Sequence, residues 1–162
     1  MTSLINDSLA SSIWEQIVHE KYNANIYLYI CGYLKNKGLD NLAKHFMEQH
    51  DEETEHSKLF FNLLTDLNTE VKILEVPGCN FNFNNVLDVA EAYLQREITT
   101  TNNIGEIKNL AIETNNHVVE EFCRTMLTKQ QAEYEEATTW QDRANMTGGD
   151  WKFVMLWDIG EE

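Results

Sequence analysis

Residues 40–67 read DNLAKHFMEQHDEETEHSKLFFNLLTDL, and this stretch determines the fold. It contains neither proline nor glycine, and its apolar side chains recur at alternating steps of four and three residues, as on one face of an α-helix. The same face also carries Glu53 and His56, three residues apart. A helix places these two side chains next to each other. The stretch is therefore predicted to be a helix that turns a carboxylate and an imidazole toward the protein interior.

Three further stretches repeat this periodicity. The first leads up to Gly38, which suits the end of a helix, and the other two lie on either side of Thr114-Asn115-Asn116. Together the four stripes predict helices at about residues 8–36, 40–67, 85–113 and 116–146. Gly148-Gly149 interrupts the fourth helix, and Asp150 can cap a short fifth helix at about 150–158. All five helices fit into a single domain over residues 1–162.

The connections between the helices predict how the helices are arranged. Residues 36–40 and 114–116 form short turns, so each turn joins two antiparallel neighbours. Residues 68–84 contain the only proline, Pro77, and are long enough to run the length of the bundle. The predicted fold class is all-α, a four-helix bundle with one long crossover and a short fifth C-terminal helix.

Polar residues also interrupt the apolar faces of the other three long helices. They are Glu20, Glu97, Gln130 and Glu133, and counting residues from the two turns brings them level with Glu53. No lysine or arginine shares these faces at that level, and burial of an unpartnered carboxylate is strongly unfavourable. Protons or divalent cations must therefore neutralise the carboxylates. Oxygen ligands with one imidazole suit iron or manganese better than zinc.

The composition excludes several classes of function. The chain has 27 acidic and 12 basic residues, a formal net charge of -15. Such a surface repels phosphate backbones and anionic membranes, so neither nucleic acid nor a membrane is expected as a partner. The N-terminus shows no signal-peptide pattern, and the three cysteines form no Cys-x-x-Cys pair. These features predict a reduced, cytoplasmic protein.

Two segments carry more apolar side chains than one buried face needs. The first helix has Ile26, Tyr29, Ile30 and Tyr33 off its main stripe, and the fifth helix is also rich in large apolar groups. Extra apolar faces on a bundle predict contacts between subunits, and we therefore expect a homo-oligomer. The alternative is that the crossover and the fifth helix cover these faces within one chain.

Over nearly its whole length the chain resembles the bacterial non-haem ferritins. The resemblance rests on Glu20-Lys-Tyr22 with Tyr27, on Glu52-Glu53-Thr-Glu-His56, on Arg96-Glu97, on Gln130 with Glu133, and on the Gly-Gly break before the fifth helix. It implies a ferritin-like bundle that assembles into a hollow shell of twenty-four subunits. The shell would oxidise ferrous iron with dioxygen or peroxide and store the ferric mineral inside.

The resemblance also implies roles for single residues. Glu20, Glu53 and His56 would bind the first iron of a di-iron ferroxidase centre, and Glu53 would bridge to the second. Glu97 would hold the second iron, with Glu133 as a further ligand and Gln130 completing the site beside it. Tyr27 would lie next to the centre in a hydrogen-bonding or redox role.

Some positions depart from the family pattern. Glu52 matches one ligand of a third iron site, but Lys129 and Ala132 stand where two carboxylates are usual. Like-charge repulsion from Lys129 opposes iron binding there, so this third site is expected to be weakened or absent. Glu120 resembles the lining of the three-fold channels, with Cys123 in place of a second acidic residue.

Bacterioferritins and two alternative functions can be compared with the sequence. Bacterioferritins use a methionine beside the Glu-x-x-His pair to bind haem, and Thr54 and Glu55 occupy that stretch here, so no haem is expected. Glu136 also stands where a second Glu-x-x-His pair would place its histidine. One alternative function is a di-iron oxidase or peroxide scavenger that stores no iron. Another is a structural bundle whose carboxylates are protonated or solvated.

Overall fold

The computed structural model describes residues 2–162 of the chain. Within these residues it contains five α-helices and no β-strand: α1 (Asp7–Lys35), α2 (Asp40–Asp66), α3 (Val86–Glu113), α4 (His117–Thr147) and α5 (Trp151–Gly160). The predicted all-α fold class is confirmed. Each bound lies within two residues of the predicted one, the largest difference being the end of α5 at Gly160.

Side-chain caps explain where most of the helices begin. Asn6, Asn85, Asn116 and Asp150 each accept a hydrogen bond from a backbone N–H in the first turn of α1, α3, α4 and α5. Such caps satisfy N–H groups that have no partner inside the helix. At the other end of α4, Gly148 has φ 61°, a left-handed conformation that favours glycine.

Helix α2 has no cap of its own, and α5 provides one. Leu39 precedes α2 and cannot accept a side-chain hydrogen bond. Instead the Oδ1 atom of the buried Asp158 accepts from the backbone N–H of Leu42 at 2.8 Å. Asn41 donates from its side chain to the backbone carbonyl of Asp158 at 3.0 Å. These contacts fix the short fifth helix against the start of α2.

Replacing Asp158 by alanine is expected to lower the free energy of unfolding by roughly 1 kcal/mol, as for other lost helix caps. The reason is that the buried N–H of Leu42 would lose its acceptor. Urea unfolding followed by circular dichroism measures the change. Asp142, an exposed aspartate on α4, is the control, and Asp142→Ala should leave stability nearly unchanged. Equal effects of the two substitutions would contradict the capping role.

The helices pack as two hairpins. Helix α1 packs along α2, α3 packs along α4, and α1 also contacts α3. The long crossover between α2 and α3 lies on α1, where the hydroxyl group of Tyr29 donates to the carbonyl oxygen of Phe81 at 2.6 Å. Phe81 and Phe83 stack on each other with ring centroids 4.9 Å apart, and both contact Tyr29.

The crossover therefore covers most of the extra apolar face of α1. Ile26 and Ile30 are buried, and Tyr33 packs against Phe83. The alternative that the crossover covers this face within one chain therefore holds for Ile26 and Ile30, while Tyr29 and Tyr33 stay partly exposed and a contact between subunits at this face stays a prediction. Helix α5 differs, since Phe153, Leu156 and Ile159 are 57%, 60% and 55% exposed.

A polar layer divides the interior into two apolar clusters. One cluster lies around Tyr27, Phe46 and Tyr93, and the other around Leu9, Phe60 and Ile104. Buried carboxylate, imidazole and amide side chains lie between these clusters, near the middle of the long helices. No helix in residues 2–162 has the length and apolar character to cross a membrane.

Candidate metal centre

Three of the predicted ligands come together between α1 and α2. Glu20, Glu53 and His56 each offer one ligand atom, and these atoms all lie within 4.8 Å of one another. The Nδ1 atom of His56 is 3.6 Å from Glu53 Oε2 and 3.9 Å from Glu20 Oε2. All three side chains are buried. The i, i+3 spacing on α2 and one carboxylate from the antiparallel neighbour thus converge on one point.

Most of the other predicted site residues lie on α3 and α4. The Oε1 atom of the buried Glu97 accepts a hydrogen bond of 2.5 Å from the hydroxyl group of Tyr27. Its Oε2 atom accepts from the Nε2 atom of Gln130. Glu133 is only half-buried, and its neighbours include Glu52, Glu97 and Glu136. Glu52 is exposed on α2.

Several acceptor atoms at this centre have no hydrogen-bond partner in the protein. They are Glu20 Oε2, both carboxylate oxygens of Glu53, and Glu133 Oε2, together with the Nδ1 atom of His56. Among residues 2–162, the lysine and arginine side chains form their ion pairs elsewhere. Buried polar atoms without partners are rare, because each one loses its hydration without compensation. The donor set suits cations that bind oxygen and one imidazole nitrogen.

The electrostatics of the centre favour the neutral carboxylic acids when no cation is bound. Burial is the main reason that the pKa of Glu20 lies well above its usual value, and the negative charge of Glu53 adds to the shift. Burial also raises the pKa of Glu53 to about 8 and that of Glu133 to about 9, and it raises the pKa of Glu97. Bound cations would reverse this preference by stabilising the ionised carboxylates.

Tyr27 is fixed beside the centre by its neighbours. Its ring packs against Phe46 and Tyr93, with centroids 6.0 and 5.4 Å away. Burial and the negative charge of Glu97 hold the pKa of the phenol well above its ordinary value. The hydroxyl group therefore stays protonated and donates its hydrogen bond to Glu97.

The positions that depart from the family pattern lie at the surface of α4. Lys129 and Ala132 are both exposed. Glu120 is three-quarters buried and accepts from Arg124 at 3.4 Å, while Cys123 is fully buried. The weakened third site and the channel role of Glu120 stay predictions.

Sequence reasoning missed several polar residues of the buried layer. Gln16 donates to Glu20 Oε1 at 3.0 Å, and the i, i+4 spacing could have revealed this contact. Gln49 lies on the apolar stripe of α2, and its polarity was the available signal.

A second polar network joins α1 to α3 beside the centre. Arg96 donates to Asn23 at 2.7 Å and lies 3.0 Å from the Nδ1 atom of His19. His19 and Asn23 both contact the hydroxyl group of Thr100, at 2.7 and 2.9 Å. Burial, reinforced by the charge of Arg96, lowers the pKa of His19 to about 4. The network links α1 and α3, the two helices that carry Glu20 and Glu97. No simple sequence pattern predicts it.

Comparison with known proteins gives consistent results. The profile of the ferritin-like domain family matches residues 11–146. The ferritin BfrB of Mycolicibacterium smegmatis is 31% identical over 139 residues, covering 85% of this chain and 76% of that protein. The bacterial non-heme ferritin of Staphylococcus saprophyticus is 23% identical over 155 residues, covering 96% and 93%.

Solved structures give the same fold. The structure of an open pore ferritin from Archaeoglobus fulgidus superimposes with a TM-score of 0.92 at 21% identity, covering 97% of both chains. A humanized archaeal ferritin superimposes with a TM-score of 0.91 at 19% identity, covering 97% of this chain and 96% of that one. At these identities the likeness shows the four-helix bundle fold. The match to the family profile covers most of the chain, and the protein therefore belongs to the ferritin-like domain family.

Proposed function

We propose that the protein oxidises ferrous iron at a di-iron centre and stores the ferric product inside a hollow shell of many identical chains. The first iron would bind Glu20, Glu53 and His56, and the second would bind Glu53, Glu97 and Glu133. Gln130 and Tyr27 would orient Glu97 through their hydrogen bonds to its two carboxylate oxygens. The observation that carries the proposal is the set of buried carboxylate oxygens without partners around His56.

The charges of the side chains support a pair of divalent ions. Glu20, Glu53, Glu97 and Glu133, once ionised, carry four negative charges, which two ferrous ions neutralise. After oxidation the two ferric ions carry six positive charges, so hydroxide or oxide from water must supply the remainder. The protein ligands therefore match the ferrous substrate better than the ferric product. This difference favours release of the product into the shell.

The redox step balances with either oxidant. Two ferrous ions each lose one electron, and dioxygen takes up both electrons and two protons to give hydrogen peroxide. With peroxide as the oxidant, the same two electrons and two protons give two water molecules. Because the centre is buried, the reacting ions would be held by side chains of the protein.

Three observations support the shell. The relatives with matching sequences are named ferritins, and they align along most of their length. Helix α5 exposes Phe153, Leu156 and Ile159, an apolar face that contact with another chain would cover. The net charge of -15 per chain creates a negative potential that draws cations toward the assembly.

The test is to add ferrous iron in air to the purified, iron-free protein. We expect ferric absorbance to rise faster than in buffer alone, and iron to co-elute with a particle many times larger than the 18.9 kDa chain. A non-storage oxidase would oxidise iron but elute as a small oligomer without retained iron. If the protein neither speeds up the oxidation of iron nor retains iron in its fraction, the proposed function is contradicted.

A further inference from the structure

The ligands proposed for the two ions lie on different hairpins. Glu20, Glu53 and His56, proposed for the first ion, lie on α1 and α2. Glu97 and Glu133, proposed for the second ion together with Glu53, lie on α3 and α4. Contacts within one hairpin therefore cannot fix the separation of the two ions. That separation depends on how the two hairpins pack against each other.

In residues 2–162, α1 and α3 make the main contact between the long helices of the two hairpins. At the level of the centre this contact is polar. His19 and Asn23 on α1 meet Arg96 and Thr100 on α3, and we call these four residues the α1–α3 network. Each helix contributes the residue directly before its proposed ligand glutamate and the residue three positions after it. The network thus lies beside one ligand glutamate on each helix.

The hydrogen bonds of the α1–α3 network have a single consistent assignment. Arginine can only donate, so the Nδ1 atom of His19 accepts from Arg96 at 3.0 Å, and its Nε2–H donates to Thr100 at 2.7 Å. The Nε atom of Arg96 donates to Asn23 Oδ1 at 2.7 Å. The amide nitrogen of Asn23 then donates to Thr100 at 2.9 Å, and Thr100 donates to the backbone carbonyl of Arg96 at 2.8 Å. No amide flip or change of tautomer is possible without the loss of a bond.

The α1–α3 network is also enclosed. Asn23 and Thr100 are fully buried, and the guanidinium group of Arg96 lies over the ring of Tyr22, 5.2 Å from its centroid. Within residues 2–162, Arg96 forms no ion pair with a carboxylate, so its donors serve the link between the helices. Hydrogen bonds are stronger away from water, and the planar fork of arginine holds its partners in fixed directions. Such a link resists sliding of one helix along the other, which apolar contacts allow because they are not directional.

We propose that His19, Asn23, Arg96 and Thr100 hold the two hairpins in the register that sets the separation of the two metal ions. The inference rests on the proposed function, because it concerns the geometry of the same centre. The four side chains act through the helices that carry the ligand glutamates. Two electrons reach one oxidant only when both ions lie next to it. A misplacement of about 1 Å can slow a reaction about 100-fold, so a small shift of α1 against α3 would impair oxidation.

Manganese pairs report this separation without iron oxidation. The iron-free, assembled protein loaded with two Mn²⁺ ions per chain should give the electron paramagnetic resonance spectrum of a magnetically coupled pair. Thr100→Val keeps the size of the side chain and removes the hydroxyl group that His19 and Asn23 contact. In this variant most of the pair signal should be replaced by the signal of single ions, and the second ion should bind about tenfold more weakly.

The matched control is Thr99→Val. Thr99 is the neighbouring residue on α3, and its hydroxyl group donates within its own helix, to the backbone carbonyl of Gln95. This variant should keep the pair spectrum and the affinity for the second ion. Thr100→Ser retains the hydroxyl group and should restore both. Arg96→Lys keeps the charge but cannot hold two partners in fixed directions, so it should weaken the magnetic coupling as Thr100→Val does.

A network that only stabilises the fold would give a different result. Thr100→Val would then lower Tm but leave the pair spectrum and the affinity for the second ion at their wild-type values, and this result would overturn the proposal. If Thr100→Val does not fold, Arg96→Lys decides the same question. A wild type that forms the manganese pair yet oxidises no iron would contradict the proposed function alone. A wild type that binds the ions singly would contradict the di-iron centre, and the proposal with it.

Discussion

Glu53→Ala is expected to slow ferrous iron oxidation by at least about 100-fold, because loss of an outer-shell partner alone costs a metal site about 10- to 100-fold. Glu53 lies between both halves of the centre, 3.6 Å from His56, and both of its carboxylate oxygens are without partners. Without Glu53, the two irons would lose the ligand that they share, and no bridge would hold them close enough to pass two electrons to one oxidant. Stopped-flow measurement of ferric absorbance checks the rate.

The same substitution should not unfold the protein. In the absence of iron, Glu53 places a buried carboxyl group among other acidic groups. Glu53→Gln, which keeps the shape, should raise the free energy of unfolding at pH 8 by roughly 1–3 kcal/mol. Glu55→Gln is the control, since this side chain on the same helix is 65% exposed. A Glu53 variant that is folded and oxidises iron at the wild-type rate would rule out the assigned role.

The iron-free protein is expected to lose stability as the pH rises from 7 to 9. The pKa values of Glu53 and Glu133 in the folded protein are raised to about 8 and about 9. In the unfolded chain both lie near about 4.3, so over this range the folded form binds more protons than the unfolded form. Stability from these groups is present at low pH and is lost as the pH rises through the folded-state values.

The expected size is about 3 kcal/mol, with the part from Glu133 reduced because its side chain is partly exposed, and the decrease in Tm is on the order of 10 °C. The range from pH 7 to pH 9 excludes the opposite effect of His19 on stability. The pKa of His19 is lowered to about 4, so its protonation changes the stability only below pH 7. Excess Mn²⁺ should reverse the trend, because it binds the ionised carboxylates and binds more tightly as they lose protons. Differential scanning calorimetry at several pH values measures both effects.

Glu53→Gln again provides the matched control. Removal of one titrating group should flatten the dependence of Tm on pH for the iron-free protein. If the iron-free wild type were equally stable at pH 7 and pH 9, the carboxylates would be ionised throughout. Their neutralisation would then have to come from a source other than protons or divalent ions.

The fold could be predicted from the sequence because its signals are local. The apolar stripe through Phe46, Phe60 and Leu63 has the period of a helix, and turn residues mark its ends. The polar layer could be predicted for a similar reason. Glu20, Glu53 and Glu97 interrupt apolar faces, and counting along rigid antiparallel helices gives their heights.

The remaining features depend on contacts between distant segments. Phe81 of the crossover packs over Tyr29 of α1 and accepts its hydrogen bond. Nothing in the sequence of the crossover indicates which face of the bundle it follows. Asp158 caps α2 from the other end of the chain, so the missing cap at Leu39 has no local explanation. His45 and Glu136 meet only because α2 and α4 are neighbours in the bundle. Pair contacts of this kind leave no periodic signal in a single sequence.

Anomalous X-ray scattering from crystals soaked with ferrous iron in the absence of oxygen would locate the ions in the polar layer. Two iron peaks about 3.5–4 Å apart are expected there, with the carboxylate of Glu53 between them. Glu20 and His56 should contact one peak, and Glu97 and Glu133 the other. A polar layer without iron at saturating concentration, with iron only at surface carboxylates, would contradict the assignment of this cluster as the ferroxidase centre.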